Sequence, residues 1–172
     1  MTKSAGDARD PQHILDQFGA DAVRMAVMFA APPEQSFEWS ENGVESAYKW
    51  LRTRLWTTVQ NHIAEGPMSA FDRNRLDDAD KGLRRATHET LSKAFDDYGR
   101  RLAFNTVVAA AMTLMNHINK FEGRSSESRA VLSEALKAVV LVLSPITPHI
   151  STALWRLLTG EALSRAQWMA TD

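Results

Sequence analysis

Catalytic and metal sites often depend on histidine, and this chain contains five. No two lie three or four residues apart, the spacing that places two ligands on one helix face. His88-Glu89 lacks the second histidine of a zinc-protease helix, and no cysteine is present for a thiolate site or nucleophile. Glycine-rich phosphate loops and nucleophile elbows are absent too. We therefore predict neither a metal site nor a catalytic constellation, and expect surface or half-buried packing roles for His13, His62, His88, His117 and His149.

A second kind of chemistry is indicated by Lys49, Arg52, Trp56 and Gln60, which follow one another at spacings of three and four. On a helix they form one stripe, away from the apolar face. Two cations with an exposed aromatic and an amide suit contact with a nucleic-acid backbone and a base or sugar. Arg54, on the same segment, is a further candidate. The alternative is a solvated face on which Trp56 packs against a neighbouring helix, and the residue types alone favour it.

Another basic group follows between residues 81 and 101. Its first part is explained by helix salt bridges, because Arg85, Glu89 and Lys93 are successive i, i+4 neighbours of alternating charge. Arg100 and Arg101 follow a predicted break at Gly99 and are the better candidates for a nucleic-acid contact. Salt bridges to Asp96 and Asp97 are the alternative for this pair.

Composition limits what such a surface can be. The 172 residues include 20 basic and 21 acidic side chains, so the net charge is -1 and any nucleic-acid surface must be local. The length suggests one domain with a sizeable core. The longest uncharged apolar stretch, residues 138–143, is too short to cross a bilayer, and the first residues lack the apolar core of a secretory signal. We therefore expect a cytoplasmic chain with no membrane partner.

Helix signals dominate the elements that must position these residues. Breaks are predicted at Gly19, at Pro32-Pro33, at Gly66-Pro67 and at the corner Ser144-Pro-Ile-Thr-Pro-His149. The apolar residues between them recur at helical spacing, and no strand alternation stands out. Predicted helices cover residues 13–18, 20–31, 41–65, 77–98, 104–120, 127–143 and 149–158.

The predicted fold class is all-α: a bundle of five or six helices with an N-terminal appendage of two short helices. We divide the chain into residues 1–40, the appendage, and residues 41–172, the bundle. The second helix of the appendage is apolar nearly all round and is predicted to be buried. The C-terminal half of the helix over 127–143 is the predicted centre of the bundle.

Taken in order, several segments resemble bacterial leucyl-tRNA synthetase, a class I aminoacyl-tRNA synthetase. Residues 1–4 (MTKS) resemble the end of the signature KMSKS, with Thr2 in place of serine. The other matching segments are DPQ at 10–12, FGADAVR at 18–24, MFAAPPEQSFEW at 28–39, GVESAY at 43–48, LRR at 83–85, FNTVVAA at 104–110 and SPITPHI at 144–150. The ordered set covers nearly the whole chain, and this order makes the resemblance specific.

The resemblance implies the anticodon-binding helical domain of the class I synthetases, with a small stem-contact segment at its N-terminus. The parent enzyme attaches leucine to tRNA(Leu) using ATP. Lys3 and Ser4 match the end of the loop whose lysines stabilise the ATP phosphates. The parts of the synthetase that precede this loop, including the nucleotide-binding fold and the editing domain, are not in the sequence. We therefore expect no aminoacylation by this chain alone and no cofactor of its own, since ATP and Mg²⁺ belong to the parent.

The partner implied by the resemblance is tRNA, specifically tRNA(Leu), docked through its inner corner and anticodon stem. Lys49, Arg52 and Trp56 would line the tRNA-facing side. Arg24 also matches a family arginine, but an ion pair with Asp21 or Glu38 is an open alternative. For Asn105 and His149 we prefer structural roles at a helix N-terminus and a corner.

A different function would be that of a freestanding synthetase-like paralogue or fragment acting as a protein-interaction module. Its partner could be the catalytic portion of a synthetase. This hypothesis predicts an exposed apolar patch around Phe37, Trp39 and the N-terminal helices.

Overall fold

The computed structural model describes residues 11–32, 34–36, 39–66 and 72–171. These residues form helices and connecting loops without a strand, so the all-α prediction is confirmed. The described ranges contain seven α-helices: α1 (Pro11–Ala30), α2 (Glu41–Lys49), α3 (Thr57–Ala64), α4 (Asp78–Asp96), α5 (Phe104–Lys120), α6 (Ser126–Leu143) and α7 (Pro148–Thr159). Two π-helical segments, Trp50–Trp56 and Asp97–Arg101, join α2 to α3 and extend α4. No helix in the described part of the chain is long and apolar enough to span a membrane.

Gly19 divides α1 into the two short helices predicted for the appendage. Its φ of 79° and ψ of 160° lie outside the helical region, in a conformation that glycine adopts without strain. The expectation that the second half is buried all round is wrong. Ala22 and Met25 are buried, but Arg24 is exposed and Phe29 is 45% exposed. The apolar composition of this half therefore serves one buried face and leaves part of its surface open.

The helix that runs through α2, the first π-helical segment and α3 buries Ala47, Leu51, Leu55 and Val59. These residues are four apart, and in an α-helix each such step overshoots a full turn by about 40°. Three steps would rotate the last residue about 120° away from the first. The wider turns of the π-helical segment keep all four on the side of the core. The apolar spacing alone predicts an ordinary α-helix here, so the π-helical turns are a departure from that prediction.

The predicted helix break at Gly99 is wrong, because the second π-helical segment runs through this residue. The helix that begins at α4 continues through Gly99 to Arg101, and the chain reverses at Leu102, which has a φ of 51°. This left-handed conformation is unfavourable for leucine. The Ala103 amide donates to the Asp97 carbonyl at 3.0 Å, which closes the helix end.

The central position predicted for the helix over 127–143 is confirmed by α6. Every residue from 138 to 143 is buried, and α6 packs against α4, α5 and α7. Burial of each valine or leucine side chain there contributes about 1.5–3 kcal/mol. Outside this centre, α1 packs against α2 and α5. The division at residue 40 stays a prediction.

Two histidines depart from the expected surface or half-buried roles. His62 is only 3% exposed and His88 only 9%, so both are buried. Within the described residues, no three histidine, aspartate or glutamate side chains are grouped to hold a metal ion. Burial lowers the pKa of His62 below its ordinary value of 6.5, and the charges of Arg129 and Lys137 act in the same direction, while Glu65 opposes them.

The pKa of His62 is lower in the folded chain than in the unfolded chain. As the pH falls through 6.5, the unfolded chain therefore binds more protons than the folded chain does. The stability that the neutral imidazole contributes is therefore present above that pH and is lost below it. We expect the free energy of unfolding to fall between about pH 7 and pH 5. In a His62→Leu variant this slope should be shallower. Urea unfolding at several pH values measures it, with the exposed His117→Leu as the control; equal slopes in the two variants would contradict the assignment.

Candidate nucleic-acid interface

The predicted basic stripe lies on α2, the first π-helical segment and α3, and its members differ in their surroundings. Lys49 is exposed and forms an ion pair with Glu45 at 2.6 Å. Arg52 is exposed, and its Nη1 donates to the Tyr48 hydroxyl at 3.3 Å. Among the described residues the Arg52 guanidinium meets no carboxylate. Trp56 is half-buried against the core, and Arg54 is exposed. Trp56 thus fits both interpretations, since it packs on the core and still reaches the surface.

Arg52 and Trp56 come together at a groove of about 670 Å³ between the kink of α1, the first π-helical segment and the beginning of α7. We call it the aromatic groove. Lys49 and Arg54 are not among its lining residues. Those residues are Phe18, Gly19, Ala20, Asp21, Ala22, Tyr48, Leu51, Arg52, Trp56, His149 and Ile150.

Sequence reasoning missed Phe18, Tyr48 and His149 as parts of this surface. The rings of Phe18 and Tyr48 meet edge to face with centroids 5.7 Å apart. Tyr48 carried a usable signal, because it lies four residues before Arg52, as Arg52 lies four before Trp56. Phe18 and His149 reach the groove only through the packing of α1 against α2 and α7. Their placement needed the tertiary structure.

The floor of the groove depends on contacts between α1 and the α6–α7 corner. The Asp21 carboxylate accepts from the backbone amides of His149 and Ile150, at 3.3 and 2.7 Å. Asp21 therefore caps the positive end of α7 from a distant part of the chain.

Arg24, one turn further along α1, holds the other side of the same corner. Its Nε donates to the Ile146 carbonyl at 2.7 Å and its Nη2 to the Pro145 carbonyl at 2.9 Å. These contacts give Arg24 a structural role that differs from both the tRNA contact and the ion pair suggested from the sequence. Of the two suggested ion-pair partners, Asp21 caps α7, and Glu38 lies outside the described residues. A tRNA contact by Arg24 stays a prediction.

Arg100 and Arg101 project from the second π-helical segment, and each is paired with a carboxylate. Arg100 forms two hydrogen bonds to Asp96, at 2.7 and 3.0 Å. These bonds lower the pKa of the Asp96 carboxyl and raise the pKa of Arg100. Arg101 lies 3.0 Å from Asp97, which Lys93 also contacts at 2.7 Å. The salt-bridge alternative thus describes their contacts, and a tRNA contact by either arginine stays a prediction.

Across the bundle, Arg84 pairs with a residue that sequence reasoning did not consider. Its guanidinium donates twice to Glu134 on α6, at 2.9 and 3.3 Å, and His88 lies 3.3 Å from the same carboxylate. Lys93 turns towards Asp97 instead of the predicted Glu89. These pairs tie α4 to α6 and to the second π-helical segment.

Some predicted residues lie outside the described part of the chain. They are Lys3 and Ser4, matched to the signature loop, and Phe37 of the proposed apolar patch. Of the rest of that patch, Trp39 is 44% exposed, and Phe29 on α1 is exposed to a similar degree.

Comparison with known proteins places the chain in a family. Residues 80–172 match the family described as the anticodon-binding domain of tRNA ligase. The leucine–tRNA ligase of Stenotrophomonas maltophilia K279a is 55% identical over 168 residues, which cover 97% of this chain and 19% of that protein. The leucine–tRNA ligase of Alcanivorax borkumensis is 49% identical over 173 residues, covering 100% of this chain and 21% of that protein. The chain thus spans about a fifth of the length of these relatives.

Solved structures agree with the sequence comparison. The LeuRS in the ternary complex of Agrobacterium radiobacter K84 agnB2 LeuRS, tRNA and LeuAMS is similar with a TM-score of 0.84 and 25% identity, over 100% of this chain and 22% of that one. Methionyl-tRNA synthetase of Mycobacterium tuberculosis shares the fold, with a TM-score of 0.72 at 18% identity over 90% of this chain and 34% of that one. The interaction-module hypothesis is not favoured by these similarities. The resemblance to leucyl-tRNA synthetase is confirmed, and the chain belongs to the family of anticodon-binding domains of tRNA ligases.

Proposed function

We propose that this chain is the tRNA-docking domain of a leucine–tRNA ligase and that it binds the body of tRNA(Leu). The observation that carries the proposal is the exposed guanidinium of Arg52, which meets no carboxylate in the described part of the chain and lies beside Trp56 at the aromatic groove. The parent ligase would use ATP and Mg²⁺ elsewhere, so we assign no cofactor to these residues. Because tRNA charging serves translation, we place the chain in the cytoplasm.

The charge distribution supports a docking surface that is local. The chain as a whole carries a net charge of -1. Many of its cations are paired with carboxylates, as Arg84 is with Glu134 and Arg100 is with Asp96. Arg52 and Arg54 are exposed on one helix, and the neighbouring pair of Lys49 with Glu45 is exposed as well. An exposed ion pair contributes little to stability, so a phosphate can replace Glu45 as the partner of Lys49.

A Lys49/Arg52/Arg54 triple alanine variant is expected to bind tRNA(Leu) more weakly than the wild type. Each lost phosphate contact should reduce the slope of log affinity against log salt by about 0.9, because fewer counterions are released. Filter retention of a tRNA(Leu) transcript at several salt concentrations measures both effects.

The matched control is a Lys120/Arg156/Arg165 triple alanine variant. It removes the same net charge from exposed positions that do not line the aromatic groove. The control should retain the affinity and salt slope of the wild type more closely than the first variant. Identical binding by the first variant and the wild type would refute this surface.

A further inference from the structure

The aromatic groove combines two kinds of surface that favour different parts of one ligand. Its lining includes the rings of Phe18, Tyr48 and Trp56, together with the apolar side chains of Leu51 and Ile150. Arg52 adds a cation, and its bond to the Tyr48 hydroxyl at 3.3 Å orients the guanidinium next to these rings. A ligand that matches both surfaces has a flat apolar body and an attached anion.

The carboxylate that lines the groove does not oppose such a ligand strongly. Both oxygens of Asp21 are engaged by backbone amides, those of His149 and Ile150 at the beginning of α7. The positive end of the α7 dipole offsets the charge of this carboxylate. Asp21 is also only 8% exposed. The local field that an incoming anion meets is therefore set chiefly by Arg52.

The first π-helical segment explains why the rings and the cation share one groove. Tyr48, Arg52 and Trp56 are four residues apart, and two such steps on an α-helix would rotate Trp56 about 80° away from Tyr48. The wider turns between Trp50 and Trp56 hold all three along the groove. Short π-helical insertions are frequent at functional sites, and here the insertion has a direct geometric consequence.

Resting on the proposed function, we propose that the aromatic groove seats one unstacked nucleotide of the bound tRNA, with its base against the Trp56 indole and its phosphate beside Arg52. The volume of about 670 Å³ is within the range of pockets that hold small ligands of this size. Proteins that bind unpaired RNA stack bases on aromatic side chains and pair the backbone with arginine. A fully paired RNA helix keeps its bases inside the stack and offers no base to this groove.

The test compares tRNA(Leu) transcript with a fully paired RNA duplex of similar length as probes. A Trp56→Leu variant of the full chain should bind the tRNA about 5- to 100-fold more weakly. Its affinity for the duplex should be unchanged, and its salt slope on tRNA should equal that of the wild type, because no charge is lost. Trp56→Phe retains a ring and should recover part of the affinity. Arg52→Gln should reduce the salt slope on tRNA by about one.

Trp168→Leu is the matched control, because Trp168 is a half-buried tryptophan of the C-terminal tail, outside the groove. It should bind both probes as the wild type does, and thermal unfolding followed by circular dichroism establishes that the variants are folded. If Trp56→Leu binds tRNA like the wild type, or loses affinity for tRNA and duplex equally, the nucleotide site is overturned while tRNA docking stands. If the wild type does not bind tRNA, the proposed function is overturned together with the nucleotide site.

Discussion

Replacing Asp97 by alanine is expected to lower the free energy of unfolding by about 3 kcal/mol. The side chain of Asp97 is 0% exposed, and cations reach it from two sides. Lys93 lies 2.7 Å from one carboxylate oxygen and Arg101 lies 3.0 Å from the other, while the Thr106 hydroxyl donates to the oxygen that Lys93 contacts. Removing one partner of a buried pair costs about 3–5 kcal/mol. We expect the lower end, because Lys93 and Arg101 remain near half exposed and water can solvate them.

The pKa of Asp97 gives the same interaction a pH dependence. Burial raises this pKa, but the hydrogen bonds from Lys93 and Thr106 and the charge of Arg101 outweigh burial and lower it below the ordinary 3.8. The contribution of Asp97 to stability is thus complete above that pH and is lost as the pH falls further. Acid should therefore weaken the wild type more steeply than the Asp97→Ala variant.

Urea unfolding at pH 7 measures the loss, and Asp96→Ala is the control. Asp96 is the preceding residue in the chain and also pairs with an arginine, but its pair with Arg100 is exposed and contributes little. Asp97→Asn keeps the shape of the side chain without its charge and should fall between the wild type and Asp97→Ala. Equal stability of the Asp96 and Asp97 alanine variants would show that burial of this carboxylate is not what holds the end of α4.

Local signals were sufficient for the helices whose ends are made by neighbouring residues. Asp77 caps α4 by accepting from the Asp80 amide at 2.8 Å, and Ser40 caps α2 by accepting from the Gly43 amide at 3.2 Å. The kink at Gly19 likewise follows from a residue type. Such ends can be predicted because the interacting groups are within a few residues of each other.

Both π-helical segments escaped prediction because their causes are not local. The wide turns between Trp50 and Trp56 allow Leu51 and Leu55 to face the same core. The wide turns after Asp96 continue the helix of α4 through Asp97. The Asp97 carboxylate accepts a hydrogen bond from Thr106 of the next helix. Helix propensities do not distinguish i, i+5 from i, i+4 hydrogen bonds, so the packing partners determine the outcome.

The candidate site also combines residues that local spacing predicts with residues that only long-range packing brings together. The four-residue spacing of Arg52 and Trp56 brought them into the prediction, and the structure places both at the groove. The wall opposite them belongs to Phe18 and His149, which are 131 positions apart in the sequence. The resemblance makes Arg24 a candidate tRNA contact, yet its guanidinium donates hydrogen bonds to carbonyls of a corner some 120 residues away in the sequence. Spacing identifies one helix face, and long-range packing decides what faces it.

Asp21 links α1 to α7 in this packing, and Asp21→Ala is expected to lower the free energy of unfolding by about 2 kcal/mol. The variant leaves the amides of His149 and Ile150 without the carboxylate that accepts from both. This loss is at the upper end of the range for a helix cap, because the acceptor is charged and buried. Asp21→Asn keeps one oxygen acceptor and should lose less.

The effect of Asp21 should also be coupled to Arg24, because the two side chains hold adjacent parts of one corner. In a double-mutant cycle with Arg24→Ala, the double variant should lose less stability than the sum of the single losses. Asp16→Ala, on the exposed side of α1, is the control, since within the described residues Asp16 accepts only from Gln12, on its own helix. Strict additivity would mean that Asp21 and Arg24 hold the corner independently. Coupling would mean that α1 and the α6–α7 corner dock as one unit. The aromatic groove would then open or persist with that unit, because it has α1 on one side and α7 on another.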